Sequence, residues 1–227
     1  MKSKIAAVIF DMDGLMFNTE DLYNVVGDAL LEPRGHKFTR ELKLLMMGLP
    51  GKKAFQVMID HCQLQDSIST LEAESAEMFA DLLPREIRPM RGLMKLLDRL
   101  EHNDIPKAVA TSSHQRFANI ALSQFDLIPR FEFVLTAESV TNGKPHPDVY
   151  LLAAKRMGLQ PSQLLVLEDS VTGSKAGVAA GANVIAIPTE HSAGMDYSHV
   201  DLMATSLEDP IIWQTIESSQ ADSDPAK

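Results

Sequence analysis

At 227 residues the chain is long for one compact domain and short for two, given ~100–200 residues per domain. Hydrophobic residues make up 45% and charged residues 23%, enough apolar material for a sizeable core. A formal net charge of −10, from 21 Lys and Arg against 31 Asp and Glu, excludes a surface built to hold nucleic-acid phosphates or an anionic membrane, and leaves room for a local cationic pocket.

The first apolar run, residues 5–10, is continuous rather than alternating, the pattern of a strand covered on both faces. It is too short to span a bilayer, and it runs into Asp11-Met12-Asp13-Gly14 rather than a small-residue cleavage site. From Thr19 to about Pro84 no strand is predicted. Apolar stripes such as Leu42, Leu45, Met46 and Phe55, Met58, Ile59, Cys62 predict a helical module instead. Pro84, Pro89 and Gly92 mark the return to the sheet. Strands are then predicted at 107–110, 131–135, 164–167 and 184–187, alternating with helices at 89–100, 116–125, 148–157 and 171–180. That alternation predicts an α/β fold, a doubly wound parallel sheet with helices on both faces. The expected organisation is a core of residues 1–16 and 86–216 and an inserted small α-helical cap of 17–85. A tail of 217–227, with no apolar residue larger than Ala, reads as disordered. The single cysteine, Cys62, cannot form an internal disulfide and reads as a buried thiol in a reduced, cytoplasmic protein.

Chemistry concentrates where strands end. Asp11 and Asp13 follow the first strand, and ligands of open parallel sheets bind beyond the carboxyl ends of the strands. Asp-x-Asp-Gly also matches part of a calcium loop. Ile9, however, would hold that loop's first ligand position, and a strand precedes the motif where a helix is required. Three further polar clusters follow later strands: Thr111-Ser112-Ser113, Lys144 within Asn142-Gly143-Lys144-Pro145, and Glu168-Asp169-Ser170. Taken singly, these read as helix caps or a solvated lysine. Together they place four carboxylates, hydroxyls and one ammonium at one sheet edge. Like charges so gathered need a cation, and hard oxygen ligands that leave coordination positions open suit Mg²⁺. Lys144 and the hydroxyls then have an anion to hold, and phosphoryl transfer is the chemistry that fits.

In order, DxDG, ATSS, GKP and LEDS resemble the four motifs of the haloacid dehalogenase superfamily, with the insertion resembling its helical cap. FDMDGL, LMMG, NGKPHPDVY and LVLEDS are most similar to phosphatases of the pseudouridine-5′-phosphatase and β-phosphoglucomutase type. The resemblance implies that Asp11 is the nucleophile and Asp13 the acid and base. It implies that Asp11, the backbone carbonyl of Asp13 and Asp169 hold Mg²⁺ with Glu168 in support, and that Thr111, Ser112 and Lys144 bind the phosphoryl group. Glu20, Tyr23, Gly48 and Lys52 become candidate cap contacts to the substrate. The implied activity is hydrolysis of a small phosphorylated metabolite, sugar- or nucleotide-like, by a monomer. Dehalogenation is disfavoured because Asp13 can protonate an alkoxide, which a departing halide does not need. A phosphomutase is the alternative, although Tyr23 and Gly51 stand where a mutase of this type carries His and Arg. A phospho-Asp signalling module is a more distant one, disfavoured by the long insertion before Thr111.

Overall fold

The computed structural model describes residues 4–46, 49 and 51–221. In chain order β1 (Ala7–Phe10) is followed by four helices, α1 (Thr19–Leu31), α2 (Arg40–Met46), α3 (Gly51–Cys62) and α4 (Ile68–Glu86). After α5 (Leu93–His102) come β2 (Lys107–Ala110), α6 (Gln115–Ser123), β3 (Val134–Leu135), α7 (Asp148–Met157), β4 (Leu164–Glu168) and α8 (Val171–Ala180). The chain closes with β5 (Asn183–Ala186), β6 (Leu202–Met203) and α9 (Pro210–Ala221). It divides into two compact units, one reaching to Asn18 and resuming at Arg88, the other Thr19–Ile87. No described helix is long and apolar enough to cross a membrane.

The larger unit is the doubly wound α/β fold. Its sheet has six parallel strands in the order β3-β2-β1-β4-β5-β6. All four residues of β1 are buried, which is why the run is apolar throughout. Alternate residues divide between the faces. Ala7 and Ile9, Ala108 and Ala110, and Leu164 and Val166 share one core with Val149, Tyr150 and Ala153 of α7 and Ala176 and Ala180 of α8. Their neighbours Val8, Phe10, Val109, Leu165 and Leu167 are fully buried on the opposite face. After β1 the chain winds outward through β2 and β3, then returns to place β4 on the other side of β1. The reversal leaves a crevice at the carboxyl ends of β1 and β4, the position where such sheets bind ligands.

Some local features depart from what the sequence predicts. The short edge strand β6 has only two residues and carries no periodic signal. Pro84 lies inside α4 rather than ending a helix, which runs on to Glu86 and closes with Ile87 N–H donating to Leu83 O. Residues 217–221 are not a disordered tail but the last turns of α9. There the Ile5 backbone is gripped on both sides, its N–H donating to Ser219 Oγ (3.0 Å) and its carbonyl accepting from Gln220 Nε2 (2.9 Å). Polar pairing to the entering strand replaces the apolar contacts that the composition lacks. Residues 222–227 lie outside the described residues.

The helical unit packs Leu31, Leu42, Met58, Cys62 and Leu71 into its own core, and burial pushes the Cys62 thiol up. Leu45 departs from its predicted stripe and is half exposed. Arg34 ties the unit's polar side, reaching Asp66 at 2.8 Å and Glu74 at 2.9 Å.

In the larger unit a carboxylate clamp joins α5 to β2. Glu101 accepts from Arg130 Nε (2.8 Å) and Nη2 (2.7 Å) and pairs with the buried Lys107 Nζ at 2.8 Å. The Arg130 hydrogen bonds, with help from Lys107 and against the cost of burial, hold this carboxyl down to about 2. A carboxyl lowered by folding contributes stability above its unfolded titration range and loses that contribution as pH falls toward the folded value. Glu101→Gln is therefore expected to destabilise at pH 7 by about 1 kcal/mol, the group being partly exposed. The deficit should shrink as pH falls from about 5 toward 2, as urea titrations at stepped pH would record.

Candidate active site

Asp11 is the first residue beyond β1, fixed by its backbone N–H donating to Leu167 O on neighbouring β4 (3.0 Å). The chain then turns sharply. Gly14 adopts φ 78°, a left-handed conformation that side chains disfavour, and Gly14 N–H bonds Phe17 O at 2.9 Å. This loop aims Asp13 at the end of β2. There Asp13 Oδ2 accepts from Thr111 Oγ1 (2.9 Å) and Ser113 Oγ (2.8 Å). Thr111 is itself anchored, its N–H donating to Leu135 O and its Oγ1 accepting from Ser113 N–H, both at 2.9 Å.

Lys144 reaches the crevice from the loop before α7. Its Nζ donates to Asp11 Oδ1 (2.5 Å), Glu168 Oε1 (2.6 Å) and the Ala110 carbonyl (2.9 Å), so all three ammonium protons are placed. The side chain is only 6% exposed. Glu168, the last residue of β4, is 0% exposed and surrounded by donors. Tyr150 OH joins Lys144 at Oε1 (2.9 Å), while Ser170 N–H (3.1 Å) and Ser170 Oγ (2.9 Å) bond Oε2. Ser170 also caps α8, accepting from Gly173 N–H at 3.0 Å. Gly173 is required by proximity: a Cβ there would stand 1.6 Å from Glu168 Oε1.

Carboxylate oxygens of Asp11, Glu168 and Asp169 lie within 4.8 Å of one another, all buried. Burial, and then the charge of Glu168, push the Asp11 carboxyl above the ordinary range, with Lys144 opposing. For Lys144 burial works downward, but the charges of Asp11 and Glu168 outweigh it and hold the ammonium firmly protonated. This is a donor set suited to a hard divalent cation. Each of the three carboxylates offers one oxygen to that corner, and both oxygens of Glu168 also accept from protein donors.

The structure thus brings together Asp11, Asp13, Thr111, Lys144, Glu168 and Asp169, with exposed Ser112 beside Thr111. The remaining sequence candidates belong to the helical unit. Glu20 pairs with Lys43 at 3.5 Å, Tyr23 is 42% exposed and packs its ring on Phe79, and Lys52 is exposed in the first turn of α3. Gly48 lies outside the described residues. Sequence reasoning missed Ser113, Tyr150 and Ser170 as site members. Ser113 was visible as the third hydroxyl of its cluster and Ser170 as a cap. Tyr150 closes the NGKPHPDVY segment, but its position on the apolar face of α7 gives its hydroxyl no chemical signal.

A family model described as haloacid dehalogenase-like hydrolase matches residues 8–187. The chain belongs to that family. A protein of Drosophila melanogaster named "Probable pseudouridine-5′-phosphatase" is 34% identical over 91% of each chain. The "Phosphorylated carbohydrates phosphatase" of Thermotoga maritima is 32% identical, over 77% of this chain and 81% of that one. Among solved structures, CbbY from Rhodobacter sphaeroides in complex with phosphate superposes with a TM-score of 0.81. It has 24% identity and covers 91% of this chain and 96% of its own, so that likeness speaks to the fold. The chain is an enzyme of this hydrolase family, and the named relatives are phosphatases.

Replacing Gly by Ala within a helix ordinarily stabilises by ~0.5–1 kcal/mol. Gly173→Ala should do the opposite, because the new methyl displaces the Glu168 carboxylate from its four donors. A loss of about 2 kcal/mol in urea unfolding is expected, and a gain would contradict the packing described.

Proposed function

We propose that the chain is a Mg²⁺-dependent phosphatase that hydrolyses a small phosphorylated metabolite, sugar- or nucleotide-like, through an aspartyl-phosphate on Asp11. The observation that carries the reading is that Lys144 bridges Asp11 and Glu168 beside Asp169, while Thr111 and Ser113 hold Asp13. In the first step an Asp11 oxygen attacks phosphorus and the bond from phosphorus to the ester oxygen breaks. The departing alkoxide takes a proton from Asp13. In the second, Asp13 removes a proton from water as it attacks the same phosphorus, and Asp11 is released with inorganic phosphate. Before the substrate arrives Thr111 and Ser113 fix the Asp13 carboxyl, and Ser113 keeps its hold when the single Thr111 hydroxyl proton turns to the phosphoryl group. Lys144, with Thr111 and Ser112, faces the transferring oxygens.

Asp11, Asp169 and the backbone carbonyl of Asp13 would hold Mg²⁺, with Glu168 positioning Lys144 and supporting the corner. Bound there, the ion supplies neutralisation of the charge gathered on carboxylates and phosphoryl oxygens. The helical unit is proposed as the cap that selects the leaving group through Glu20, Tyr23, Gly48 and Lys52. The names of the relatives, a pseudouridine-5′-phosphatase and a phosphatase of phosphorylated carbohydrates, support a small phosphomonoester as substrate. We take the enzyme to act as a cytoplasmic monomer.

A phosphate-release screen over sugar phosphates, nucleotides and polyol phosphates should find a substrate with Mg²⁺ present, and EDTA should stop turnover. Asp11→Asn should lower release on that substrate by about 10³-fold or more with the circular-dichroism spectrum unchanged. Wild-type turnover in that variant would overturn the mechanism. Isomerisation of a hexose phosphate in place of phosphate release would mark a mutase.

A further inference from the structure

The loop between β5 and β6 contains two buried hydroxyls that the reaction above does not use. Ser192 and Tyr197 are 4% and 5% exposed. Both donate to one acceptor, the backbone carbonyl of Asp169: Ser192 Oγ at 3.0 Å, and Tyr197 OH in a short hydrogen bond. That carbonyl lies one residue past the end of the sheet ladder, which closes with Glu168 paired to Ala186 and Ile187 N–H donating to Glu168 O (2.7 Å). Without the loop it would have no strand to bond.

The same peptide unit is held at its other end. Its N–H, that of Ser170, donates to Glu168 Oε2 at 3.1 Å. One rigid plane is therefore gripped by two hydroxyls on its oxygen and by a carboxylate on its nitrogen, and that plane fixes the backbone from which the Asp169 side chain projects. The hydrogen bonds run in one direction, from Ser192 and Tyr197 through the peptide to Glu168, a sense in which each polarises the next. The loop is anchored in turn. Tyr197 stacks on His199, whose Nε2 bonds Ser174 Oγ at 2.9 Å, and Ser174 is fully buried on α8. Ser192 Oγ also accepts from Thr189 N–H at 3.1 Å, closing a turn that holds the serine in place.

We propose that Tyr197 and Ser192 are positioning residues for divalent-cation binding, orienting the Asp169 carboxylate toward Asp11 through the Asp169–Ser170 peptide. The inference rests on the reading of Asp169 as a metal-holding residue. Groups that orient metal-binding side chains typically govern affinity by 10- to 100-fold.

The test is calorimetric titration of the full chain with MgCl₂, comparing wild type, Tyr197→Phe, the double variant Tyr197→Phe/Ser192→Ala, and Asp169→Asn. Tyr197→Phe keeps the ring and its stacking and removes only the hydroxyl. Its Mg²⁺ dissociation constant should rise about tenfold, and that of the double variant by more. The Mg²⁺ concentration for half-maximal phosphate release should rise in parallel, with kcat at saturating Mg²⁺ within about threefold of wild type, since the chemical groups are untouched. A merely structural role predicts a lower melting temperature in EDTA with the Mg²⁺ dissociation constant unmoved, and that result overturns the inference. So does unchanged affinity in the double variant when Asp169→Asn loses binding, which leaves the metal reading standing. Failure of wild type itself to take up Mg²⁺ would instead remove that reading, and this inference with it.

Discussion

The site depends on one ammonium group. Lys144 Nζ sits among Asp11, Glu168 and the Ala110 carbonyl, and through them it joins the ends of β1, β2 and β4. A buried ammonium persists only where its charge is compensated and its protons are bonded, and here all three are. Removing a partner would leave an uncompensated charge in the interior. The geometry of Asp11, the proposed nucleophile, is thus coupled to the packing of three strands.

That coupling is made by topology. Because the chain reverses direction across β1, residues distant in sequence arrive side by side. Asp11 follows β1, Thr111 follows β2 and Glu168 ends β4, each one peptide from an apolar strand buried on both faces. Strand-end placement keeps each carboxylate at the sheet rim, while the ladder beneath it fixes the backbone. The β5–β6 loop extends this logic past the ladder, replacing strand partners with the hydroxyls of Ser192 and Tyr197.

The sequence was legible where one physical signal dominated. Fully apolar runs marked β1 and β4, and the alternation of strand with helix marked α7 and α8. Carboxylates directly after those strands marked Asp11, Glu168 and Asp169 without reference to anything outside the chain. Other parts were hidden because their stabilisation is nonlocal. The last turns of α9 have small polar residues, and Ser219 and Gln220 grip the Ile5 backbone, more than two hundred residues away in sequence. Tyr150 lies on an ordinary apolar helix face, and its hydroxyl acquires a role only because Glu168 stands above it. Tyr197 occupies a loop of no distinctive pattern.

Charge completes the argument. An acidic chain with net −10 is a poor host for a phosphate, and the crevice sharpens the difficulty by gathering Asp11, Glu168 and Asp169, with one lysine bonded to two of them. Lys144 cannot resolve it alone, because its charge is already shared between Asp11 and Glu168. The same imbalance bears on reactivity. Burial and the charge of Glu168 raise the Asp11 carboxyl while Lys144 opposes them, and the proposed attack on phosphorus needs that carboxyl ionised. A divalent cation on the Asp169 side would reverse the local field, ionising the nucleophile and admitting the anion together. Carboxylate crowding that would otherwise be destabilising would then make the proposed attack and phosphate binding depend on the same ion. A hydroxyl clamp that steers Asp169 would act on both at once.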